Sequence, residues 1–360
     1  MSRRLVIFGL SLSSSWGNGH AIPFRGLCRE LAALGWEITF FERDVEWYRS
    51  NRDVPSAEYC DLRFYEDWRH EAESAVAKSD TLLVGSYVPD GAALIDWLLS
   101  RDRPVFFYDI DTPVTLTALA TSGHTDYLRG DQIPHFETYF SFTGGPALDE
   151  LEKRWHARRA EALFCGVDPL LYYPVDVEPR FRGSLGYMGT YAPDRQARLE
   201  AFLLRTAERR PDDCFLIAGP QYPPMRLPPN VRHIAHLYPR EHAAFYSSTT
   251  ATLNLTRDAM RAYGWSPASR LFEAAACGAC IISDTWPGLD HVLEPGREVL
   301  LANSQVEVEA HLDALTPARR QAIGTAARCR VMAEHTFAHR AAQLHTALER
   351  TLVGTPAEHV

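Results

Sequence analysis

The sequence predicts an α/β protein of two domains. An apolar strand pattern over residues 5–10 is followed by an amphipathic helix over about 22–34 and a second strand over 37–42. Such a β-α-β opening is typical of a parallel sheet covered by helices. A chain of 360 residues suits two domains, and a second series of the same alternation begins after residue 174.

Composition and charge exclude several classes of protein. Hydrophobic residues make up 46% of the chain, and the formal net charge is −9. The charge argues against a nucleic-acid binder, because phosphate backbones attract clustered lysine and arginine. No apolar run has the roughly eighteen residues that a transmembrane helix needs. Seven scattered cysteines favour a reducing compartment, so we expect a cytoplasmic protein.

Short apolar runs mark the remaining strands. The amino-terminal run is interpreted as a first strand rather than a signal peptide, because no small-residue cleavage site follows it. The segment GVDPLLYYP, residues 166–174, is bounded by glycine and proline and predicts a linker. Further strands are predicted over 62–65, 81–85, 105–109, 138–142 and 160–165 before the linker, and over 185–189, 214–218, 231–234, 251–256, 280–282 and 298–302 after it.

The stretch WSPASRLFEAAACGACIISDTWPGLD, residues 265–290, predicts a helix, a buried strand and a turn. Ser266 is a good N-cap, and Pro267 suits the first helical position. Gly278 would end the helix. The turn after the strand lies where open α/β sheets bind ligands.

The same helix carries candidate binding residues. Its start, as far as Ser269, offers unpaired N–H groups and the positive end of a dipole, which suit a phosphate. Arg270 and Glu273 are three residues apart and therefore lie on one face. Together they would hold a diphosphate and a ribose diol. The alternative is an ordinary surface ion pair on a capped helix.

Five segments together resemble one family. RLFEAAACGACIISDTWPGLDHVLEPGREVLL is similar to the nucleotide-sugar half of GT-B glycosyltransferases, with the pattern Glu-Ala-x-Ala-x-Gly, a strand, Gly-Leu-Asp and Gly-Arg-Glu. With FFERDVEWYRSNRD, YDIDTP, SFTGG and LGYMGTYAPDRQ, the chain most resembles the group of the spore maturation protein CgeB.

This resemblance implies the GT-B fold, with two Rossmann-like domains whose parallel sheets face each other across a cleft. Residues 1–170 would form the acceptor domain and 171–334 the nucleotide-sugar donor domain. A helix over about 335–352 would pack back on the first domain, and residues 353–360 would form a frayed tail.

The resemblance also implies a function. The chain would be a hexosyltransferase-type enzyme that uses a nucleotide-diphosphate sugar, with a UDP-sugar favoured, and needs no metal or other cofactor. The acceptor, whether small molecule, glycan or protein, is not identified. Glu273 would match the glutamate that binds the donor ribose. Retaining relatives in family 4 carry another glutamate where this chain has Trp265, so their sugar contact and stereochemistry do not transfer.

Two other functions stay open at this stage. One is a GT-B nucleotide-sugar 2-epimerase, which needs no separate acceptor. The other is a degenerate, non-catalytic module that binds a sugar or nucleotide, which the departure at Trp265 favours.

Further donor candidates follow strands of the second domain. Gly189 and Thr190 form a small turn that would let backbone amides approach phosphate, although glycine there also serves packing alone. Arg195 would add a fixed charge. His236 falls where relatives hold the base, or is a polar loop histidine. The donor-binding candidates are Gly189, Thr190, Tyr191, Arg195, His236, Ser269, Arg270 and Glu273.

The catalytic candidates lie in the first domain. Asp109 and Asp111 form a DxD at the end of a strand, and either is a candidate base or acceptor contact. Alternatively, one of them caps the helix that begins at Thr112. His20 follows a glycine-rich loop and is the competing base, or it merely bonds that loop.

The acceptor candidates are Asn18, Gly19, Trp47 and Asp53. Asn18 and Gly19 lie in the same glycine-rich loop. Trp47 belongs to an aromatic pair that Arg43-Asp44 and Arg52-Asp53 flank, and Asp53 belongs to the second of these flanking pairs. Such Arg-Asp pairs are more often structural. Cys277 and Cys280 form a lone CxxC, which we interpret as small buried residues rather than a metal site.

Overall fold

The computed structural model describes residues 3–354, and the chain divides into two compact units. The first unit takes in the chain up to Phe164 and again from Phe337, and the second is Cys165–Thr336. Each unit is built on its own parallel sheet.

The first unit begins with the β-α-β pattern that its sequence predicts. Its sheet has the order β3-β2-β1-β4-β5-β6-β7. The strands are β1 (Arg3–Phe8), β2 (Trp36–Arg43), β3 (Asp61–Tyr65), β4 (Thr81–Gly85), β5 (Val105–Asp109), β6 (Tyr139–Ser141) and β7 (Ala160–Ala162). The helices are α1 (Ala21–Ala33), α2 (Glu46–Arg49), α3 (Trp68–Glu71), α4 (Glu73–Lys78), α5 (Gly91–Leu99), α6 (Thr112–Ser122) and α7 (Pro146–Lys153).

The second unit repeats this plan with the order β10-β9-β8-β11-β12-β13. The strands are β8 (Gly183–Met188), β9 (Phe215–Ala218), β10 (Val231–Ile234), β11 (Thr249–Asn254), β12 (Ile281–Ser283) and β13 (Leu300–Leu301). The helices are α8 (Pro193–Leu199), which a π-helical turn (Glu200–Leu204) joins to α9 (Arg205–Arg209), then α10 (Pro239–Ser248), α11 (Asp258–Tyr263), α12 (Ser269–Ala276), α13 (Gln305–Ala314) and α14 (Pro317–Glu334).

Strands in the interior of both sheets carry runs of buried apolar residues. In β1 the residues from Leu5 to Phe8 are buried, as are all residues of β9. Such continuous apolar runs are the pattern of buried parallel strands. The predicted α/β class, with two Rossmann-like parallel sheets, is confirmed.

The strand order reverses once in each sheet, between β1 and β4 in the first and between β8 and β11 in the second. Open α/β sheets bind ligands outside the carboxyl ends of the strands at such a switch point. The loop after β1, which contains His20, and the turn after β8, which begins at Gly189, both lie at these positions.

Helix α12 begins later than its sequence predicts. Its N-cap is Ala268, so the prediction of Ser266 as the N-cap is wrong. Trp265 has a positive φ of 51°, and its N–H donates to the carbonyl of Pro287 at 2.6 Å. This contact with a distant turn holds the chain out of the helical conformation until Ser269.

The last helix, α15 (Phe337–Gly354), belongs to the first unit and packs against α1. The indole N–H of Trp36 donates to Nδ1 of His345 at 3.0 Å. The helix continues through the first two residues of the predicted frayed tail, and 355–360 lie outside the described residues. Among the described helices, none is both long and apolar enough to cross a membrane.

We expect Gly26→Ala to loosen the packing of α15 on α1. A Cβ at Gly26 would lie 2.2 Å from the ring of Phe337. Overpacking of this kind costs about 1–3 kcal/mol, which urea unfolding would measure. Gly19→Ala is the control, because a Cβ there meets nothing within 4 Å. Equal stability of the two variants would contradict the prediction.

Candidate functional site

Arg270 connects the two strands at the switch point of the second sheet. Its Nε donates to the carbonyl of Met188 at 2.8 Å, and its Nη1 donates to the carbonyl of Leu255 at 3.0 Å. These carbonyls lie at the carboxyl ends of β8 and β11, which are neighbours in the sheet. The guanidinium also lies over the ring of Tyr187, 5.4 Å from its centroid.

Gly189 lies beside this guanidinium and has no room for a side chain. A Cβ at Gly189 would lie 2.7 Å from Nη2 of Arg270. The structure therefore brings together two of the predicted donor residues and gives the reason for the glycine, which is close approach rather than a special φ.

The turn after β9 supports Gly189 from the other side, and sequence reasoning missed it. Gly219 has a φ of +149°, and a Cβ there would lie 2.1 Å from the carbonyl oxygen of Gly189. The hydroxyl of Tyr222 donates to the same oxygen at 3.2 Å. The signal in the sequence was a second strand that ends in glycine, Ala218-Gly219, next to the first.

A second guanidinium lies near Arg270. Nη2 of Arg195 donates to the carbonyl of Thr190 at 2.6 Å, and its buried Nε has no hydrogen-bond partner among the described residues. Burial lowers the pKa of Arg195, and the nearby charge of Arg270 lowers it further. Two arginines held by backbone carbonyls concentrate positive charge that suits a diphosphate.

Glu273 is buried, with 6% of its surface exposed, so the alternative of a surface ion pair does not describe it. The hydroxyl of Tyr246 donates to its Oε2 at 3.3 Å, and Nδ1 of His242 lies 3.9 Å from the same oxygen. Burial raises the pKa of the Glu273 carboxyl to about 7, although the charge of Arg270 opposes the shift.

The three other donor candidates have contacts apart from those of Arg270, Gly189, Arg195 and Glu273. Ser269 is the first residue of α12 and is half-buried. The ring of Tyr191 lies edge-on to Tyr222 with 5.5 Å between centroids, and its N–H donates to the carbonyl of Pro220. His236 packs edge-on against Tyr238 at 4.5 Å in the loop after β10.

Trp265, at the position of the family-4 glutamate, packs on the turn after β12. Its ring lies against Gly288, where a Cβ would come within 2.4 Å, and 4.2 Å from the ring of His291. The buried carboxylate of Asp284 joins that turn to β11 by accepting from the N–H and hydroxyl of Thr256. Trp265 therefore contributes packing where those relatives have a carboxylate.

His20 lies at the start of α1 in the first unit. Its N–H and that of Ala21 donate to Oδ1 of Asn18, at 3.0 and 3.2 Å, so Asn18 supplies the side-chain cap of this helix. The imidazole packs edge-on against Tyr87, and its buried Nδ1 has no partner among the described residues. Burial lowers the pKa of His20 to about 4, against the opposing charge of Asp111, so the ring is neutral near pH 7.

The two aspartates of the DxD differ in environment. Asp109 is fully buried and accepts from the N–H of Asp111 at 3.1 Å and from the hydroxyl of Tyr139 at 2.6 Å. Burial raises the pKa of Asp109 to about 6. Asp111 is partly exposed and occupies the N-cap position of α6, but its side chain makes no capping hydrogen bond.

The loop after β1 is organised around Glu42, which sequence reasoning also missed. The buried carboxylate accepts from the N–H groups of Leu12 and Ser13 at 2.7 and 2.8 Å, and from the Ser13 hydroxyl at 2.6 Å. Its partners lie about thirty residues earlier in the sequence, so no local pattern reveals them.

The remaining acceptor candidates, Asp53, Gly19 and Trp47, differ in their surroundings. Asp53 pairs with Arg25 at 2.7 Å, whereas Arg52 pairs with Asp44, so the predicted Arg52-Asp53 pair does not form. Gly19 lies in the loop before α1 with open space around it. Trp47 is 56% exposed.

Comparison with known proteins identifies the fold. No curated protein sequence matches the chain, but residues 195–346 match a family model described as Glycosyl transferase-like. The whole structure is similar to sucrose-phosphate synthase from Thermosynechococcus elongatus, with 16% identity, a TM-score of 0.73, and coverage of 98% of this chain and 100% of that chain. The chain has the GT-B glycosyltransferase fold.

Two more solved structures share this GT-B fold. An α-glucosyltransferase in complex with UDP-glucose and DNA has 14% identity and a TM-score of 0.74, over 97% of this chain and 100% of that chain. HepE from Anabaena, in complex with UDP and glucose, has 11% identity and a TM-score of 0.66, with the same coverage. Residues 195–346 thus match a glycosyltransferase family model, and the epimerase and the non-catalytic module gain no support. The CgeB-like group stays a prediction.

In this GT-B chain we expect Glu273→Gln to gain stability over the wild type as pH rises. The folded pKa of about 7 exceeds the ordinary value of 4.5, so the wild type loses stability between these pH values, because the carboxyl of the unfolded chain ionises while the buried one stays protonated. The relative gain by pH 8 would reach up to about 3 kcal/mol, measured by urea unfolding across pH. Glu208→Gln, at an exposed glutamate of α9, is the control. A pH-independent difference for Glu273→Gln would contradict the prediction.

Proposed function

We propose that the chain transfers a hexose from a UDP-sugar to an acceptor and needs no metal ion. The observation that carries the proposal is the group of Arg195, Arg270 and Glu273 at the switch point of a glycosyltransferase domain. Guanidiniums suit a diphosphate, and a carboxylate accepts from ribose hydroxyls. Two structural neighbours hold UDP or UDP-glucose, which supports uracil as the base.

Transfer breaks the bond between the anomeric carbon and the diphosphate and forms a bond from that carbon to the acceptor oxygen. Negative charge grows on the departing diphosphate, and fixed guanidiniums stabilise it without reorganisation. This is the role that a divalent ion would otherwise fill. In an inverting transfer, the acceptor proton passes to His20, Asp109 or Asp111 in the first unit.

We assign the acceptor to the first unit. The exposed ring of Trp47 offers a face on which a sugar could pack. A small molecule, glycan or protein fits a net charge of −9 better than DNA does, although one structural neighbour is bound to DNA. The free cysteines favour a cytoplasmic setting.

Turnover assays test this function directly. A panel of UDP-sugars is incubated with and without sugar, lipid-linked and protein acceptors, and with duplex DNA, and UDP release is measured. We expect release that depends on one acceptor class and persists in EDTA. Activity that is lost in EDTA and restored by manganese or magnesium would contradict the metal-independent mechanism, and acceptor-independent conversion to an isomer would contradict transfer.

Arg195→Gln should weaken the binding of UDP far more than that of uridine, because the guanidinium would contact phosphate and not the nucleoside. We expect a loss of about 1.5–3 kcal/mol for UDP, or roughly ten- to a hundred-fold, by calorimetric titration. Arg210→Gln is the matched control, since Arg210 pairs with Asp213 and Asp313. Equal losses for UDP and uridine would contradict the phosphate role.

The base is identified by comparing His20→Ala, Asp109→Asn and Asp111→Asn. All three should keep their UDP affinity, and the variant that lacks the base should lose roughly 10²–10⁴-fold in kcat at saturating donor. His20 is a candidate because its neutral ring carries an unpartnered Nδ1. If His20→Ala keeps kcat within a few-fold while an aspartate variant collapses, the base is a carboxylate.

A further inference from the structure

We propose that Tyr246, on α10, is a positioning residue for Glu273 that donates to its Oε2 and leaves Oε1 to receive the donor ribose. The proposal rests on the proposed function, in which Glu273 binds that ribose. It adds a residue that does not itself touch the donor and acts through the carboxylate.

The geometry singles out one carboxylate oxygen. The hydroxyl of Tyr246 donates to Oε2 at 3.3 Å, and Nδ1 of His242 lies 3.9 Å from Oε2. Helix α10 packs against α12, and Tyr246 is almost completely buried there. Because the Tyr246 hydroxyl is held in this packing, its hydrogen bond restricts the rotation of the carboxylate and the direction in which Oε1 points.

The hydrogen bonds of His242 determine its tautomer. Its Nε2 lies 3.2 Å from the carbonyl oxygen of Leu237, and since a carbonyl only accepts, we assign the ring proton to Nε2. Nδ1 then carries the lone pair, to which the hydroxyl of Tyr172 donates at 3.2 Å. Burial lowers the pKa of His242 to about 4, so the ring that faces Glu273 is neutral near pH 7.

On the side of α10 and Tyr172, Glu273 therefore faces hydroxyls and a neutral imidazole ring. The titratable groups around it are Arg270 and Cys277 on its own helix, His242 and Tyr246 on α10, and Tyr172 ahead of β8. Burial raises the pKa of Glu273, while the charge of Arg270 and the hydroxyl of Tyr246 hold the pKa down.

A ribose hydroxyl donates to the ionised carboxylate, so donor binding and loss of the Glu273 proton are linked. Loss of the Tyr246 hydroxyl should raise the pKa of Glu273 further and shift this linkage to higher pH. A purely structural loss would weaken donor binding equally at every pH.

The test compares Tyr246→Phe with the wild type by calorimetric titration of UDP from about pH 5.5 to about pH 9. The ratio of the two affinities at each pH is independent of the titration of UDP itself, because that titration affects both measurements equally. We expect equal affinity near pH 9 and a deficit that grows below it, to about five- to tenfold near pH 7. Tyr65→Phe is the control, because that buried hydroxyl has no hydrogen-bond partner among the described residues.

Tyr246→Phe is also made in the Glu273→Gln background. If Tyr246 acts through Glu273, the second substitution should change UDP affinity less than about twofold there. A deficit that is uniform across pH, or that persists in this background, would overturn the positioning role alone. If Glu273→Gln leaves UDP affinity unchanged at every pH, the ribose contact and the positioning role both fail.

Discussion

The switch point of the second sheet is organised around one side chain, Arg270, which donates to carbonyls at the ends of two neighbouring strands. Met188 ends β8 and Leu255 follows β11, where the strand order reverses, and a branched donor can bond both carbonyls at once. The planar guanidinium meets both with separate nitrogens. This requirement places Gly189 beside Nη2 without a Cβ, and the helical repeat then places Glu273 one turn further into the unit.

In the first unit, a negatively charged side chain satisfies backbone groups in the loop after its first strand. There the loop after β1 turns its N–H groups inward, and the carboxylate of Glu42 accepts from Leu12 and Ser13. Those amides are the ones that would approach a phosphate in a nucleotide-binding Rossmann domain. Because a side chain of the protein already satisfies them, they are not available to a phosphate. The proposed phosphate site lies in the second unit, where backbone carbonyls hold the guanidiniums of Arg195 and Arg270.

The sequence was sufficient wherever the structure follows from a local pattern. Apolar runs predicted the central strands, and the spacing of Arg270 and Glu273 predicted their common face. The start of α12 was wrong because Trp265 takes a positive φ to bond Pro287, a residue 22 positions away. Glu42 and Tyr246 escaped notice for the same reason, since their contacts depend on partners that only the fold brings near. Composition and spacing locate a site, but they do not reveal the contacts that hold its residues in place.

The electrostatics of the donor group follow from these contacts. Burial disfavours the charged forms of both Glu273 and Arg195, which raises one pKa and lowers the other. Each pKa shift reflects a free-energy cost to the folded chain, because the charged group lies where water cannot solvate it. A diphosphate next to Arg195 and a ribose hydroxyl on Glu273 would each favour the charged form and reverse the shift. Binding a ligand that carries both groups would therefore recover the free energy that burying these charges costs the folded protein. In this respect a binding site differs from a packed core.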